Sequence, residues 1–294
     1  MNINQESRPL VGRNISPVPY PGGKGRFARH ILPRLASLGD FTNVEYREPF
    51  TGGGSIAISL LPHINRIAIN DKDPAIAAMW NSIINHHDLL KSKVRNFTPS
   101  ISAFDSFKSE LLATKEVAMT TSKIVELGFK KMALHRISYS GMGTMSFGPK
   151  GGRLQNKCKI DDKYDANGLC NRIDTLHADF NRITIQEGGC TSNDFEELVC
   201  DNSAPALIFV DSPYVTAGPE LYQFSFTHAD HVRLAESMRK CPHNFLMTYD
   251  DHELIHDLYG SWCRIERIGA KYTVQHCSEE RTPEKYELFI TPKK

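Results

Sequence analysis

Residues 205–214 read Pro205-Ala206-Leu207-Ile208-Phe209-Val210-Asp211-Ser212-Pro213-Tyr214. Five apolar residues in a row, bounded by Pro205 and by a turn containing Pro213, predict a strand buried on both faces. Asp211 and Tyr214 then stand at the C-terminal end of that strand, where open α/β sheets place their ligands. An Asp in the loop after a buried strand is equally common as a plain turn residue. Only a second stretch that uses the same crevice can decide between the two readings.

That stretch lies upstream. Val44-Glu45-Tyr46-Arg47-Glu48 predicts a strand, Pro49-Phe50-Thr51-Gly52-Gly53-Gly54-Ser55 a glycine-rich turn, and Ile56 to Leu61 an apolar helix. Strand, glycine turn and helix in succession open a Rossmann-like sheet. The spacing is not G-x-G-x-x-G, so a pyrophosphate cradle is not implied. Arg66-Ile67-Ala68-Ile69-Asn70 predicts a second strand ending at Asp71, which lies 19 positions after Gly52. An acid at about that offset meets ribose hydroxyls in such sheets. Asp73-Pro74 supplies an N-cap and a proline at the first helical position for a helix over Ala75 to Ile84, which leaves Asp71 free. Before all of this, Ser16-Pro17-Val18-Pro19-Tyr20-Pro21-Gly22-Gly23-Lys24-Gly25 is turn-rich, with Lys24 available to a carboxylate. A helix over Arg26 to Leu38 follows, with Pro33 expected to bend or interrupt it.

Composition sets the limits. The chain has 294 residues, 40% of them hydrophobic, with a net charge of +1, enough for one large domain or a domain carrying an insertion. No run approaches the roughly 18 apolar residues of a membrane helix, and Met1 to Arg8 is too polar for a signal peptide. Seven scattered cysteines without a C-x-x-C pair argue for reduced thiols in a cytoplasm-like compartment and against a zinc site or disulfide framework. His86 and His87 adjoin but point to different helix faces, so no metal site is expected. The near-neutral total hides an asymmetry. Residues 123–163 hold nine Lys/Arg against three Asp/Glu, whereas residues 187–257 hold three against thirteen. A basic block inside a neutral chain is either solvated surface or a nucleic-acid-docking segment.

The segments YPGGK (20–24), EPFTGGGS (48–55), a strand ending in NDKD (70–73) and DSPY (211–214), in this order, resemble the Dam-like α-group of adenine-specific DNA methyltransferases. The resemblance spans nearly the whole chain. It implies a Rossmann-like catalytic domain over 1–88 and 181–294, a mostly helical target-recognition domain over 89–180, S-adenosyl-L-methionine as cofactor and double-stranded DNA as partner. Tyr20, Lys24, Phe50, Gly52, Gly54, Ser55, Asp71 and Asp211 are the implied cofactor residues. Asp211, Ser212, Pro213 and Tyr214 are the implied catalytic tetrapeptide around an extruded adenine. The family has Pro at the second of these positions. The acceptor there is a main-chain carbonyl and survives in Ser212, which Pro213 still biases towards extended backbone.

The 139 residues between Asp71 and Asp211 exceed one βαβ step and contain the basic block. Helices are predicted over Phe104 to Met119 and Thr121 to Leu134, and glycines at 141, 143, 148, 151 and 152 predict a hairpin or loop displayed at the surface. This part resembles the family's DNA-entering segment. It implies DNA contacts from Arg136, Tyr139, Ser140, Met142, Lys150 and Arg153, with Lys157 and Lys159 also facing phosphates and Met142 or Tyr139 as a wedge. Arg281 and Lys285 in a later polar loop are further candidates. The Asn-type residue and nearby Arg of the GATC readers are not evident, so GATC recognition is not implied. An RNA or protein-amide methyltransferase, or a catalytically weakened DNA-binding homologue, fits the same tetrapeptide.

Overall fold

The computed structural model describes residues 10–13, 15–115, 120–156, 158–270 and 285–293. Lys157, Arg281 and the side chain of Lys285 lie outside what it describes.

The strands are β1 (Glu45–Glu48), β2 (Arg66–Asn70), β3 (Thr184–Thr191), β4 (Ala206–Val210), β5 (Asn244–Asp250), β6 (Cys263–Ala270) and β7 (Lys285–Pro292). They form one seven-stranded sheet in the order β3-β2-β1-β4-β5-β7-β6. The first five are mutually parallel, and β7 runs antiparallel to both β5 and β6. The chain winds outward from β1 through β2 to β3, then restarts on the other side at β4. The order therefore reverses between β1 and β4, and a crevice opens there at the carboxyl ends of the strands. β4 is buried along its whole length, as its unbroken apolar run predicts. The architecture is the expected Rossmann-like α/β sheet.

The helices are α1 (Ala28–Leu38), α2 (Ser55–Leu60), α3 (Pro74–Asn85), α4 (His87–Asn96), α5 (Ile101–Ala113), α6 (Thr121–Ile137), α7 (Ala166–Phe180), α8 (Glu196–Cys200), α9 (Gly218–Leu221), α10 (His228–Lys240) and α11 (Glu253–Tyr259). Capping sets several of their starts. Asp73 accepts from Ala75 N at 2.9 Å ahead of Pro74, Ser100 accepts from Ala103 N at 3.1 Å, and Thr227 forms a capping box with Asp230 on α10. A cap of this kind is worth about 1 kcal/mol.

One expectation is corrected. α1 runs unbroken through Pro33, because Ile31, Leu32 and Leu35 anchor it in the core. β3 extends to Thr191 and carries a bulge at Gly188 and Gly189, both at positive φ, where its register against β2 shifts. Of the two forms predicted for the glycine-rich stretch after α6, the structure shows the loop. Two 3-10 turns, Tyr139–Gly141 and Gly143–Met145, are closed by a single antiparallel bridge between Ser138 and Pro149.

The largest core cluster is continuous across sheet and insertion. Ile31, Tyr46, Ile67 and Trp80 share it with Val125, Phe129 and Met132 of α6 and with Leu169 and Ile173 of α7. α6 lies directly along α3, where a Cβ on Gly128 would stand 2.6 Å from the carbonyl oxygen of Ala78. Only glycine admits that approach. No described helix is long and apolar enough to cross a membrane.

Candidate active site

The turn after β1 is built by its glycines. Gly52 and Gly54 have φ of 47° and 64°, the left-handed region that L side chains avoid. A Cβ at Gly52 would fall 2.6 Å from the Tyr20 ring, and one at Gly54 2.5 Å from Trp80. Trp80 in turn donates from Nε1 to the carbonyl of Gly52 at 2.9 Å. The bare main chain of this turn forms the floor of a cleft lined also by Tyr20, Lys24, Phe50, Ser55, Asp71, Phe195, Asp211 and Pro213. The cleft thus gathers every implied cofactor residue at the carboxyl ends of β1, β2 and β4.

Asp71 ends β2 and is buried. Its Oδ2 accepts from Gly52 N at 2.7 Å and its Oδ1 from Asp73 N at 2.9 Å, so each oxygen keeps a further lone pair. Burial, then the neighbouring Asp73 charge, pushes its carboxyl up to about 7 against the opposing pull of those two N–H groups and of Lys131. Glu48, at the end of β1, is buried, accepts from the Tyr46 hydroxyl at 2.6 Å, and is pushed by burial to about 8. A carboxylate at one end, an aromatic lining and a side-chain-free glycine turn between them fit a nucleoside.

At the other end stands Asp211. Lys24 Nζ lies 2.9 Å from its Oδ1, and Thr248 on β5 donates to the same oxygen at 2.7 Å. The carboxylate that Lys24 meets therefore belongs to the protein. Burial alone would lower the Lys24 ammonium, but the carboxylates of Asp211 and Glu287 outweigh it and raise its pKa. The same ammonium sits 4.6 Å over the centre of the Tyr214 ring, and the Tyr214 hydroxyl donates to Glu287 on β7. Pro213 lines the cleft, whereas Ser212 and Tyr214 do not. Ser212 is 2% exposed, and its hydroxyl makes no well-formed hydrogen bond, although it faces the Tyr249 hydroxyl.

The implied DNA residues divide. Met142 alone among them enters the cleft, beside Thr144 and Met145. Tyr139, Ser140, Lys150 and Arg153 line a neighbouring depression with Lys163. Arg136 borders it too, but spends Nε and Nη2 on the carbonyl of Pro17 at 3.1 and 2.7 Å. Burial first, then Arg172, lowers its pKa to about 10. Arg136 thus ties the N-terminal segment to α6. Arg153 makes a two-point pair with Asp105 at the surface, and Lys159 is exposed. Ser140 holds a left-handed φ of 52°, strain that a rigid loop base sustains.

Several residues escaped the sequence reading. Thr248 on β5 and Glu287 on β7 were not singled out. Lys131 lies inside a helix and pairs with Asp73 at 2.6 Å. Phe147, two residues before the bridge partner Pro149, is fully exposed. The one available signal was Phe147 itself, a large apolar residue amid glycines in a stretch predicted to be displayed.

The model of the D12 class N6 adenine-specific DNA methyltransferase family matches residues 20–274. The type II methyltransferase M1.LlaDCHI of Lactococcus lactis subsp. cremoris is 22% identical over 286 residues, covering 93% of each chain. Two solved structures of the rRNA methyltransferase aviRa from Streptomyces viridochromogenes are similar at 13% identity, over 92% of this chain and 86% of theirs, with TM-scores of 0.36 and 0.37. The family match begins at the Tyr20 that closes over the glycine turn and takes in all four segments of the cleft, and the chain belongs to the D12 class N6 adenine-specific DNA methyltransferases.

Proposed function

We propose that this cleft methylates the exocyclic amine of an adenine extruded from double-stranded DNA, with Asp211 as the residue that orients the amine. One observation carries the reading. Asp211 ends the strand beside the sheet's reversal point and shares one cleft with the glycine turn and Asp71. Gly52–Gly54 and Asp71 would hold S-adenosylmethionine, Asp71 at the ribose hydroxyls, and the cofactor when bound would supply an electrophilic methyl group.

The remaining chemistry falls to the chain's own residues. Adenine's amine is a poor nucleophile because its lone pair is delocalised into the ring. Acceptors on both amino protons draw the nitrogen towards tetrahedral geometry and aim the lone pair. Asp211 supplies one acceptor and the main-chain carbonyl of Ser212 the other. Lys24 and Thr248 both fall on Oδ1 of Asp211, and no donor among the described residues falls on Oδ2, so Oδ2 is the oxygen offered to the amine. Acceptance of the amino proton also stabilises the positive charge that develops on nitrogen. Tyr214 would cover one face of the base only once the Lys24 ammonium, 4.6 Å over the centre of its ring, moves aside.

The insertion, residues 89–180, serves as the target-recognition domain. Its loop displays Tyr139 and Phe147, 61% and 101% exposed, beside Lys150, Lys159 and Lys163. Exposed aromatics among lysines suit a duplex whose phosphates are neutralised while a ring enters the base stack.

The test is methyl transfer from labelled S-adenosylmethionine to adenine-containing duplex, with Asp211→Ala as control and an RNA competitor in a parallel arm. Transfer to duplex that Asp211→Ala abolishes is expected. Duplex left unmethylated, a variant equal to wild type, or effective RNA competition would overturn the reading.

A further inference from the structure

On α6, Gly128, Lys131 and His135 are spaced three and four residues apart and share one face. Gly128 sets the depth of that face, because its bare Cα lets α6 run against the main chain of α3 at Ala78. One turn further on, Lys131 comes level with the N-terminus of α3. There it is 4% exposed, lines the cleft, and holds Asp73 Oδ2 at 2.6 Å. Asp73 has its other oxygen on Ala75 N, and its own N–H goes to Asp71 Oδ1. Asp71 closes the series on Gly52 N at 2.7 Å. A continuous chain of polar contacts therefore runs from the insertion, through two buried carboxylates, to the glycine turn.

Two buried carboxylates two residues apart cannot both ionise without a cation, since each desolvates and repels the other. We infer that Lys131 is a positioning residue for the cofactor site, neutralising Asp73 so that Asp71 can stand as an ionised acceptor for ribose hydroxyls. The inference rests on the cofactor reading given above. It makes the insertion part of the cofactor site as well as the docking surface for DNA.

The groups that face Asp71 support this assignment. Asp73 from the same turn, Glu48 from β1, Cys190 from β3 and Tyr20 from the N-terminal segment all disfavour its charge or are disfavoured by it. Lys131 is the one side-chain cation among the main influences on Asp71, and it pulls the carboxyl down from where burial and Asp73 push it. Without that ammonium, the proton on Asp71 is retained to higher pH, and an ionised acceptor of the ribose diol is lost.

The test is binding of S-adenosylmethionine in the absence of DNA, titrated from acid to alkaline pH. The proteins are wild type, Lys131→Met, Lys131→Arg and the charge-balanced double variant Lys131→Met/Asp73→Asn. The asparagine of the Asp73→Asn change keeps an oxygen for Ala75 N while removing the charge that Lys131 neutralised. Lys131→Met should bind about tenfold more weakly at neutral pH, the effect of about one unit of pKa. Its binding midpoint should move to higher pH. Lys131→Arg should restore most of the affinity, and the double variant should return the midpoint towards wild type. An unchanged midpoint in Lys131→Met overturns the inference, as does a double variant no better than the single one. If Lys131→Met fails to fold by thermal melting, the double variant decides alone. Near-wild-type binding supports a charge role, and binding lost in a folded protein refutes it. Asp71→Asn separates the two readings. Wild-type binding in that variant would overturn the cofactor assignment itself, whereas a defect there beside a normal Lys131→Met overturns only the role of Lys131.

Discussion

The ammonium of Lys24 stands 2.9 Å from Oδ1 of Asp211, joining the N-terminal segment to the end of β4. Lys24 is buried and Asp211 half-buried, and removal of the ammonium leaves the carboxylate without its cation. Lys24→Met should lower kcat by about 100-fold, comparable to losing an oriented electrostatic contact in an active site. The KM for DNA should change much less. Steady-state methyl transfer on duplex, with kcat and KM separated, checks this.

Glu48 and Asp71 make stability depend on pH in a defined direction. Their folded-state carboxyls are raised from 4.5 to about 8 and from 3.8 to about 7. Across those intervals the folded protein holds protons that the unfolded chain has released, so stability falls as pH rises through the window from about 3.8 to 8 and levels off above it. Glu48→Gln removes one of the two groups and should flatten the upper part of that fall. Thermal melts of both proteins across the window measure it, and equal slopes would count against the assignment.

Phe147 contributes nothing visible to the fold, being fully exposed. Phe147→Ala should therefore leave stability within about 0.5 kcal/mol. Loss of one base-stacking ring should weaken duplex binding by about tenfold, within the range for aromatic–base contacts. Duplex titration together with a melting curve separates the two effects.

Gly128→Ala sets two tendencies against each other. Alanine favours a helix interior by about 1 kcal/mol over glycine, but its Cβ would stand 2.6 Å from the Ala78 carbonyl oxygen, a main-chain atom that cannot move aside alone. Overpacking of that kind costs about 1–3 kcal/mol, so the variant should be less stable than wild type despite its better helix propensity. A lowered Tm is the expected reading.

Ser212→Pro installs the residue usual in the family. The Ser212 hydroxyl is buried without a well-formed hydrogen bond, and an unmet buried hydroxyl costs about 1–3 kcal/mol. Restricting φ in the unfolded chain adds about 0.4–1 kcal/mol where the native backbone admits proline. The variant should be more stable, and its methylation rate should rise by no more than about fivefold. A fall in both Tm and rate would show that the turn is not compatible with proline.

The strands β1, β2 and β4, the glycine turn, Asp71 and Asp211 were legible in the sequence, because each is announced by a local pattern. An apolar run of five predicts a strand buried on both faces, and Asp73-Pro74 announces the start of α3. Glycines in succession announce a turn, and the order of the four segments carried the resemblance. The boundaries that moved did so where packing overrode local preference. Pro33 stayed within a helix anchored by the core, and the displayed glycine loop folded onto itself through a single bridge.

Sequence alone thus determined an α/β sheet with two acids at its crevice, since strand periodicity and turn chemistry are properties of neighbouring residues. Only the tertiary structure decided which cation each acid would meet. Lys24 pairs with Asp211 and Lys131 with Asp73, each across a long stretch of chain, because the reversal of strand order and the close approach of α6 to α3 bring them together. A buried charge must find its opposite wherever the fold places it, and no local pattern in the chain records where that is.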